Sequence, residues 1–309
     1  MMQHDHIPVL LQEVIDYLEL VPGNVVIDGT VGLGGHARAM LERVQPNGKL
    51  LGIDRDQANL DQAKKNLADY KKQVVLVHDS YLNLKQIAYD NGFYPADAIL
   101  FDIGFSSVHI EDSTRGFSFQ QQGPLDMRYD QDQELTAADI VNTWPVKELE
   151  RIFRQLGEER NALKIAVAIV RARRKELIET TTALSEIIID VTPGRGRHTK
   201  LHPATRVFQA LRIAVNDELS ALEQALPQAL GTLRPGGRLA VISFHSLEDR
   251  IVKQTFKKLD GTKIKIITKR PVTPTAAEIK ANPRSRSAKL RVAERICLNS
   301  HAQKPMSKP

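Results

Sequence analysis

Three aspartates and a run of glycines carry the clearest chemical signal in this sequence. Val25-Val26-Ile27-Asp28-Gly29-Thr30-Val31-Gly32-Leu33-Gly34-Gly35-His36 reads as an apolar strand that ends on a carboxylate and turns through glycines. Leu50-Leu51-Gly52-Ile53-Asp54 is a second apolar run ending on a carboxylate, and Ala98-Ile99-Leu100-Phe101-Asp102 is a third. Such strand ends, beside a glycine-rich turn into a helix, make a place for a nucleoside-bearing cofactor. Charge separates two candidates. Gly32-Leu33-Gly34-Gly35-His36-Ala37 fits the dinucleotide pattern G-x-G-x-x-A. A pyrophosphate, however, needs helix N–H groups and no nearby anion, and Asp28 stands there. S-adenosylmethionine carries no phosphate, and its ammonium and sulfonium are both cationic. Asp28 therefore favours a methyl donor, with Asp54 placed to accept from the ribose hydroxyls. The glycine pattern alone leaves an NAD-dependent oxidoreductase open.

Asp102 ends its strand before Ile103-Gly104-Phe105-Ser106-Ser107, a small-residue turn at the same edge. A strand-terminal Asp that only caps its turn reads the same way. Alignment with Asp28 and Asp54 favours a working role. A short polar–aromatic turn here suits methylation of an exocyclic amine. Asp102 and backbone carbonyls near Gly104 would accept the amine's protons, with Phe105 or Phe244 beside the base. Those acceptors localise a lone pair otherwise delocalised into the ring, and the rest of the catalysis is positioning. Methylation at C5 of a pyrimidine instead needs a cysteine nucleophile. The one cysteine, Cys297, lies in the last predicted strand, so that chemistry is set aside.

Composition narrows the class. The chain has 309 residues, formal net charge +6 and 42% hydrophobic residues, enough for a packed core plus a second domain or a large insert. A pI of about 9.3 is compatible with a nucleic-acid partner. A lone cysteine excludes an internal disulfide and points to a reducing compartment. Acidic residues Asp5, Glu13, Asp16 and Glu19 exclude a signal-peptide pattern from the first twenty residues. Apolar runs such as 165–170 are too short to span a bilayer. Histidines and cysteine lack zinc-motif spacing, so no metal is expected, and His36 is expected to pack over the cofactor.

The elements that position these residues alternate. Strands are predicted at Asn24–Asp28, Lys49–Asp54, Gln73–His78 and Asp97–Ile103, with helical stretches between them such as Asp56–Tyr70. That alternation argues a parallel α/β sheet. The rhythm breaks from His109 to Pro203, where helices are expected from Thr136, over Val146–Leu156 and over Leu163–Leu177. Pro203 suits the first turn of one long helix through Phe208, Leu219 and Leu222. Strands return at Arg238–Phe244, Lys263–Thr268 and Arg291–Leu298. The expected architecture is therefore an α/β, Rossmann-like sheet, residues 1–109 and 206–309, with an all-helical domain, residues 110–205, inserted after the fourth strand. The insert leaves at the ligand-binding edge and is expected to flank the site.

Two loops are basic. One holds Arg195, Arg197, His198, Lys200 and Arg206; the other holds Arg284, Arg286, Lys289 and Arg291, with Lys269-Arg270 before it. Arginine, serine and glycine in such loops suit phosphate contacts, so both are expected to bind a polynucleotide.

Longer motifs add a resemblance. His6-Ile7-Pro8-Val9-Leu10-Leu11, Asp28–His36, Arg115-Gly116-Phe117-Ser118-Phe119, Gly123-Pro124-Leu125-Asp126-Met127-Arg128, Gly157-Glu158-Glu159-Arg160, His202-Pro203-Ala204-Thr205-Arg206, Ser243-Phe244-His245-Ser246-Leu247-Glu248-Asp249-Arg250 and Asn282–Arg291 run through almost the whole chain. With these the sequence closely resembles the bacterial 16S rRNA (cytosine-N4)-methyltransferases. The resemblance implies S-adenosylmethionine as cofactor, a cytoplasmic location and a cytidine of the small subunit's decoding region as target. It also implies a donor site of Gly34, Gly35, His36, Asp54, Tyr81, Asp102 and His109. The family usually has Ser at Ala37, commonly Leu and Val at Ile103 and Phe105, and a Pro-Gln pair at Val108-His109. His245, Ser246 and Asp249, after the fifth strand, are candidates to guide the cytosine. A scaffold that binds RNA without catalysis is the third reading, and the intact donor-site residues argue against it.

Overall fold

The computed structural model describes residues 8–104, 107–192 and 202–297. In chain order the elements are α1 (Leu11–Leu18), β1 (Val25–Asp28), α2 (Gly35–Val44), β2 (Lys49–Asp54), α3 (Gln57–Asn66), β3 (Val74–His78), α4 (Leu84–Asp90) and β4 (Ala96–Asp102). Then come α5 (Ser107–Glu111), α6 (Ala137–Thr143), α7 (Val146–Gln155), α8 (Ala162–Arg173), α9 (Thr181–Val191) and α10 (Thr205–Asn216). α11 (Glu218–Thr232), β5 (Leu233–Ser243), α12 (Ser246–Leu259), β6 (Ile264–Ile266), α13 (Ala276–Ala281) and β7 (Lys289–Arg295) complete the chain.

Two compact units result. One joins residues 1–104 to 222–309, and the other is 105–221. The first is built on a seven-stranded sheet of order β3-β2-β1-β4-β5-β7-β6. β1 to β5 pair in parallel, while β7 lies antiparallel between β5 and β6. Side chains alternate between its faces as the two-residue period requires. Ile27, Leu51, Ile99, Phe101 and Val241 meet α4, α11 and α12 on one face. Val26, Leu50, Leu100 and Ile242 meet α1, α2 and α3 on the other. Strands buried on both faces are why these runs are almost uninterruptedly apolar.

The second unit has a core of its own, made by α6 to α10 around Ile140, Phe153, Ile165, Leu184 and Leu211. Thr136 starts α6 with a capping box, its hydroxyl taking the Asp139 N–H while Asp139 returns the bond. A buried Arg212–Glu218 pair, at 2.8 and 2.9 Å, ties the end of α10 to the start of α11.

Several expectations change. The long helix from Pro203 is two helices, because Asp217 takes a left-handed conformation (φ 48°) after α10. α10 packs into the helical core, so that unit runs past residue 205 to 221. α1 and α9 are additional helices. β7 begins at Lys289, so Lys289 and Arg291 are strand residues and not loop residues. No described helix is long and apolar enough to cross a membrane.

Candidate active site

The chain order of the sheet reverses between β1 and β4, which opens a crevice at their carboxyl ends. Asp28 lies level with Gly52 of β2 and Leu100 of β4. Asp54 and Asp102 each stand two residues beyond those partners, roughly 6.6 Å further along the strands. The three carboxylates thus form a shallow V with Asp28 at its foot.

Asp28 is 1% exposed. Burial pushes its carboxyl up to about 7; the Thr30 N–H bond opposes that rise and the nearby Asp54 charge adds to it. Asp102 keeps 21% of its side chain exposed. Burial raises its carboxyl well above the usual range, and the charges of Asp28 and Glu248 raise it further. Among the described residues Asp102 Oδ1 is a buried atom with no hydrogen-bond partner. An unmet acceptor among crowded carboxylates fits a cationic ligand.

Asp54 is already oriented. Its Oδ2 accepts from Gly32 N–H at 2.8 Å and its Oδ1 from Asp56 N–H at 2.8 Å. Asn59 Nδ2 also donates to Oδ1 at 3.4 Å, so the carboxylate is held in place from the glycine turn and from the start of α3. The Gly32 bond fixes the glycine turn, where Gly34 (φ 87°) starts α2 as a left-handed cap with no side-chain cap bond. The first-turn N–H groups of α2 have no partner within their own helix and open on the same edge of the sheet. Gly29 cannot be larger, since a Cβ there would come 2.3 Å from the Phe101 ring. Tyr81 backs that ring, 5.2 Å from it. His36 is buried with Nε2 3.0 Å from Val9 O and Nδ1 3.6 Å from Asp102 Oδ2.

The turn after β5 sits beside this edge. A Cβ on Gly104 would lie 3.2 Å from Phe244 Cδ2, so the Phe244 ring covers the start of the turn after β4. Glu248, wholly buried, holds that ring's backbone: its Oε2 accepts from Phe244 N–H at 2.8 Å and His245 N–H at 3.2 Å. His245 caps α12, its Nδ1 facing Glu248 N–H at 3.4 Å and its Nε2 3.0 Å from Glu248 Oε1. Glu248 is the residue sequence reasoning missed. The signal was present, because His245 to Glu248 has the capping-box spacing.

The sheet unit thus brings together Asp28, Gly34, Gly35, His36, Asp54, Tyr81 and Asp102, with His245 on the neighbouring turn. His109 belongs to the helical unit, where it stacks on Phe117 at 4.9 Å and Tyr129 at 5.4 Å. Phe105, Arg195, Arg197 and Lys200 lie outside the described residues. Arg206 donates to Glu158 O at 3.2 Å. Arg284 and Arg286 are exposed on a short helical turn over Pro283–Ser287. Arg291 departs from the expected phosphate role: it is 8% exposed and donates to Asp249 Oδ1 at 2.7 Å, with Lys289 on Oδ2 at 3.3 Å. Burial alone would raise the Asp249 carboxyl, but the Arg291 bond and the two cations hold it below the usual range.

A protein called ribosomal RNA small subunit methyltransferase H from Symbiobacterium thermophilum is 47% identical, covering 98% of this chain and all of its own. The protein of that name from Thermomicrobium roseum is 48% identical over 94% of each chain. A solved rRNA methylase from Streptococcus thermophilus aligns with a TM-score of 0.44 at 13% identity, over 93% of both chains. The model of the MraW methylase family matches residues 3–296. The chain belongs to the MraW methylase family.

Proposed function

We propose that this protein transfers a methyl group from S-adenosylmethionine to the exocyclic N4 amine of a cytidine in the decoding region of 16S rRNA. The observation that carries the reading is the pair of carboxylates at the switch point, buried Asp28 and partly buried Asp102, with the buried Asp102 Oδ1 lacking a partner. Family membership and the relatives' names support the RNA substrate. When bound, S-adenosylmethionine supplies an electrophilic methyl carbon on a cationic sulfur. The residues of the chain do the rest. Asp102 Oδ1 accepts from the ammonium, and the N–H groups after Gly34 take the carboxylate. Asp54, held by Gly32 and Asp56, accepts from the ribose hydroxyls. Asp28, whose carboxyl burial raises to about 7, would ionise beside a bound cation at the foot of the crevice, and a phosphate would find no such partner there.

The amine needs positioning more than a strong base, because it becomes acidic as it is alkylated. Phe244, fixed by Glu248, offers an aromatic face at the edge of the turn after β4. The cytidine has to be splayed from its stack to reach this depth. The small ribosomal subunit, in the cytoplasm, is the substrate we favour over naked RNA, with the helical unit and the exposed Arg284 and Arg286 as RNA contacts. Labelled donor is incubated with small subunits and with naked 16S rRNA from cells lacking the protein, and the RNA is digested to nucleosides. Labelled N4-methylated cytidine is the expected product, and label in another nucleoside overturns the amine chemistry.

A further inference from the structure

The outer face of α12 has no role in the site described above. Its exposed positions are Ser246, Arg250, Lys253, Gln254, Lys257 and Lys258. Four of these are cationic and none is acidic. Three other helices of the sheet unit mix the signs on their outer faces: Arg38 with Glu42 on α2, Asp61 with Lys64 on α3, Lys85 with Asp90 on α4. Balanced faces of that kind are ordinary solvated surface, and α12 departs from them.

Its position matters as much as its charge. α12 begins at the turn that places Phe244 and Glu248, so Arg250 lies little more than one turn from the strand ends. From Arg250 to Lys258 the helix rises about 12 Å. At its far end lies a groove of about 640 Å³ lined by α11, α12 and the end of β7, with Lys258, Lys263 and Arg295 among its residues and Glu223 as its acid. Lys263 and Lys265, at the edge strand β6, are exposed as well.

A basic amphipathic helix can also serve a membrane surface. That occupant is disfavoured, because the apolar side of α12, Leu247, Val252 and Phe256, is already buried. The outer face carries no exposed apolar side chain to insert. What remains is a line of cationic side chains, Arg250 and then Lys253, Lys257 and Lys258, leading away from the edge of the crevice, which suits phosphates spaced along a strand.

We propose that the Arg250–Lys253–Lys257–Lys258 face of α12 is a track for the phosphodiester backbone of the substrate RNA, on the chain flanking the target nucleotide. This rests on the RNA-methylating reading. The track contributes affinity and not chemistry, so it acts on KM for RNA and leaves the donor site alone.

The test is the triple variant Lys253→Gln, Lys257→Gln, Lys258→Gln in the full chain, with Lys64→Gln, Lys65→Gln on α3 as control. Each contact to single-stranded RNA contributes a salt slope of about 0.7, so a rise from about 50 to about 200 mM salt weakens binding about 2.6-fold per contact. Loss of three contacts makes the variant's RNA affinity fall about 18-fold less than the parent's over that interval. The expected result is a higher KM for both naked 16S rRNA and small subunits, a shallower salt slope, unchanged kcat at saturating RNA and unchanged S-adenosylmethionine binding by calorimetry. A salt slope and KM equal to those of the parent and the control overturn the track. A KM that rises on subunits but not on naked RNA also overturns it, and points to an acidic ribosomal protein. If the parent binds no RNA and labels none, the underlying reading fails, an outcome distinct from an active parent with an indifferent variant.

Discussion

Asp28 is the sharpest place to test the electrostatics of the crevice. Its carboxyl sits at about 7 in the fold against an ordinary 3.8. The folded protein therefore retains a proton that the unfolded chain releases between about pH 4 and pH 7. Stability from this group is fully present below about pH 4 and is lost as pH rises through 7. At about 1.36 kcal/mol for each tenfold in proton affinity, the loss is on the order of 4 kcal/mol by pH 8. The Asp28→Asn variant keeps an oxygen for the Thr30 N–H and removes the charge. In urea denaturation without ligand it should match the parent at pH 4 and exceed it at pH 8, by up to about 4 kcal/mol, with an unchanged m-value for the sheet unit's transition. S-adenosylmethionine should raise the parent's melting temperature more at pH 8 than at pH 6 and stabilise the variant much less. A variant no more stable than the parent at pH 8, or one whose gain is the same at both pH values, refutes the account.

Three further outcomes follow from the contacts described. Gly29→Ala drives a Cβ into the Phe101 ring and should destabilise the sheet unit by about 1–3 kcal/mol in chemical denaturation. Glu218→Gln leaves the Arg212 guanidinium buried without its carboxylate and should cost the helical unit about 3–5 kcal/mol, read from its own unfolding transition. Asp249, whose carboxyl lies below its ordinary value in the fold, contributes stability above that ordinary value and loses it as pH falls through the depressed one. The Asp249→Asn variant should therefore be less stable than the parent at pH 7, with the gap narrowing toward pH 2 in denaturant melts.

The sheet was legible because each strand repeats a simple physical pattern. Lys49–Asp54 is read from its apolar run to the residue, and the aspartates at three strand ends mark the crevice by their spacing alone. The helical unit was less legible. α9 begins with Thr181 and Thr182 and carries Ile187-Ile188-Ile189, β-branched residues that blur helical periodicity. The break at Asp217 is a single backbone conformation inside an apolar rhythm that continues across it. The last strand is read two residues late, from Arg291 where β7 starts at Lys289, and its antiparallel place beside β5 is invisible to an argument from alternation, which made Arg291 look like a surface cation. Its partner Asp249 lies 42 residues earlier, a pairing that only the register of β5 with β7 reveals.

β4 and β5 pair side by side, although the whole helical unit separates them in the chain. During synthesis, at roughly 5–20 residues per second, that unit takes on the order of 6–25 seconds to emerge. For that interval the first four strands are on hand while one flank of β4 waits for its neighbour. The extra loop length itself matters little, since each doubling adds only about 0.6 kcal/mol. What matters is the order of events: Asp28, Asp54 and Asp102 are all made early, and Phe244 and Glu248 come only after the helices. The crevice is thus completed only after the whole helical unit has been made, and until then the nascent chain carries β4 with one apolar edge unpaired.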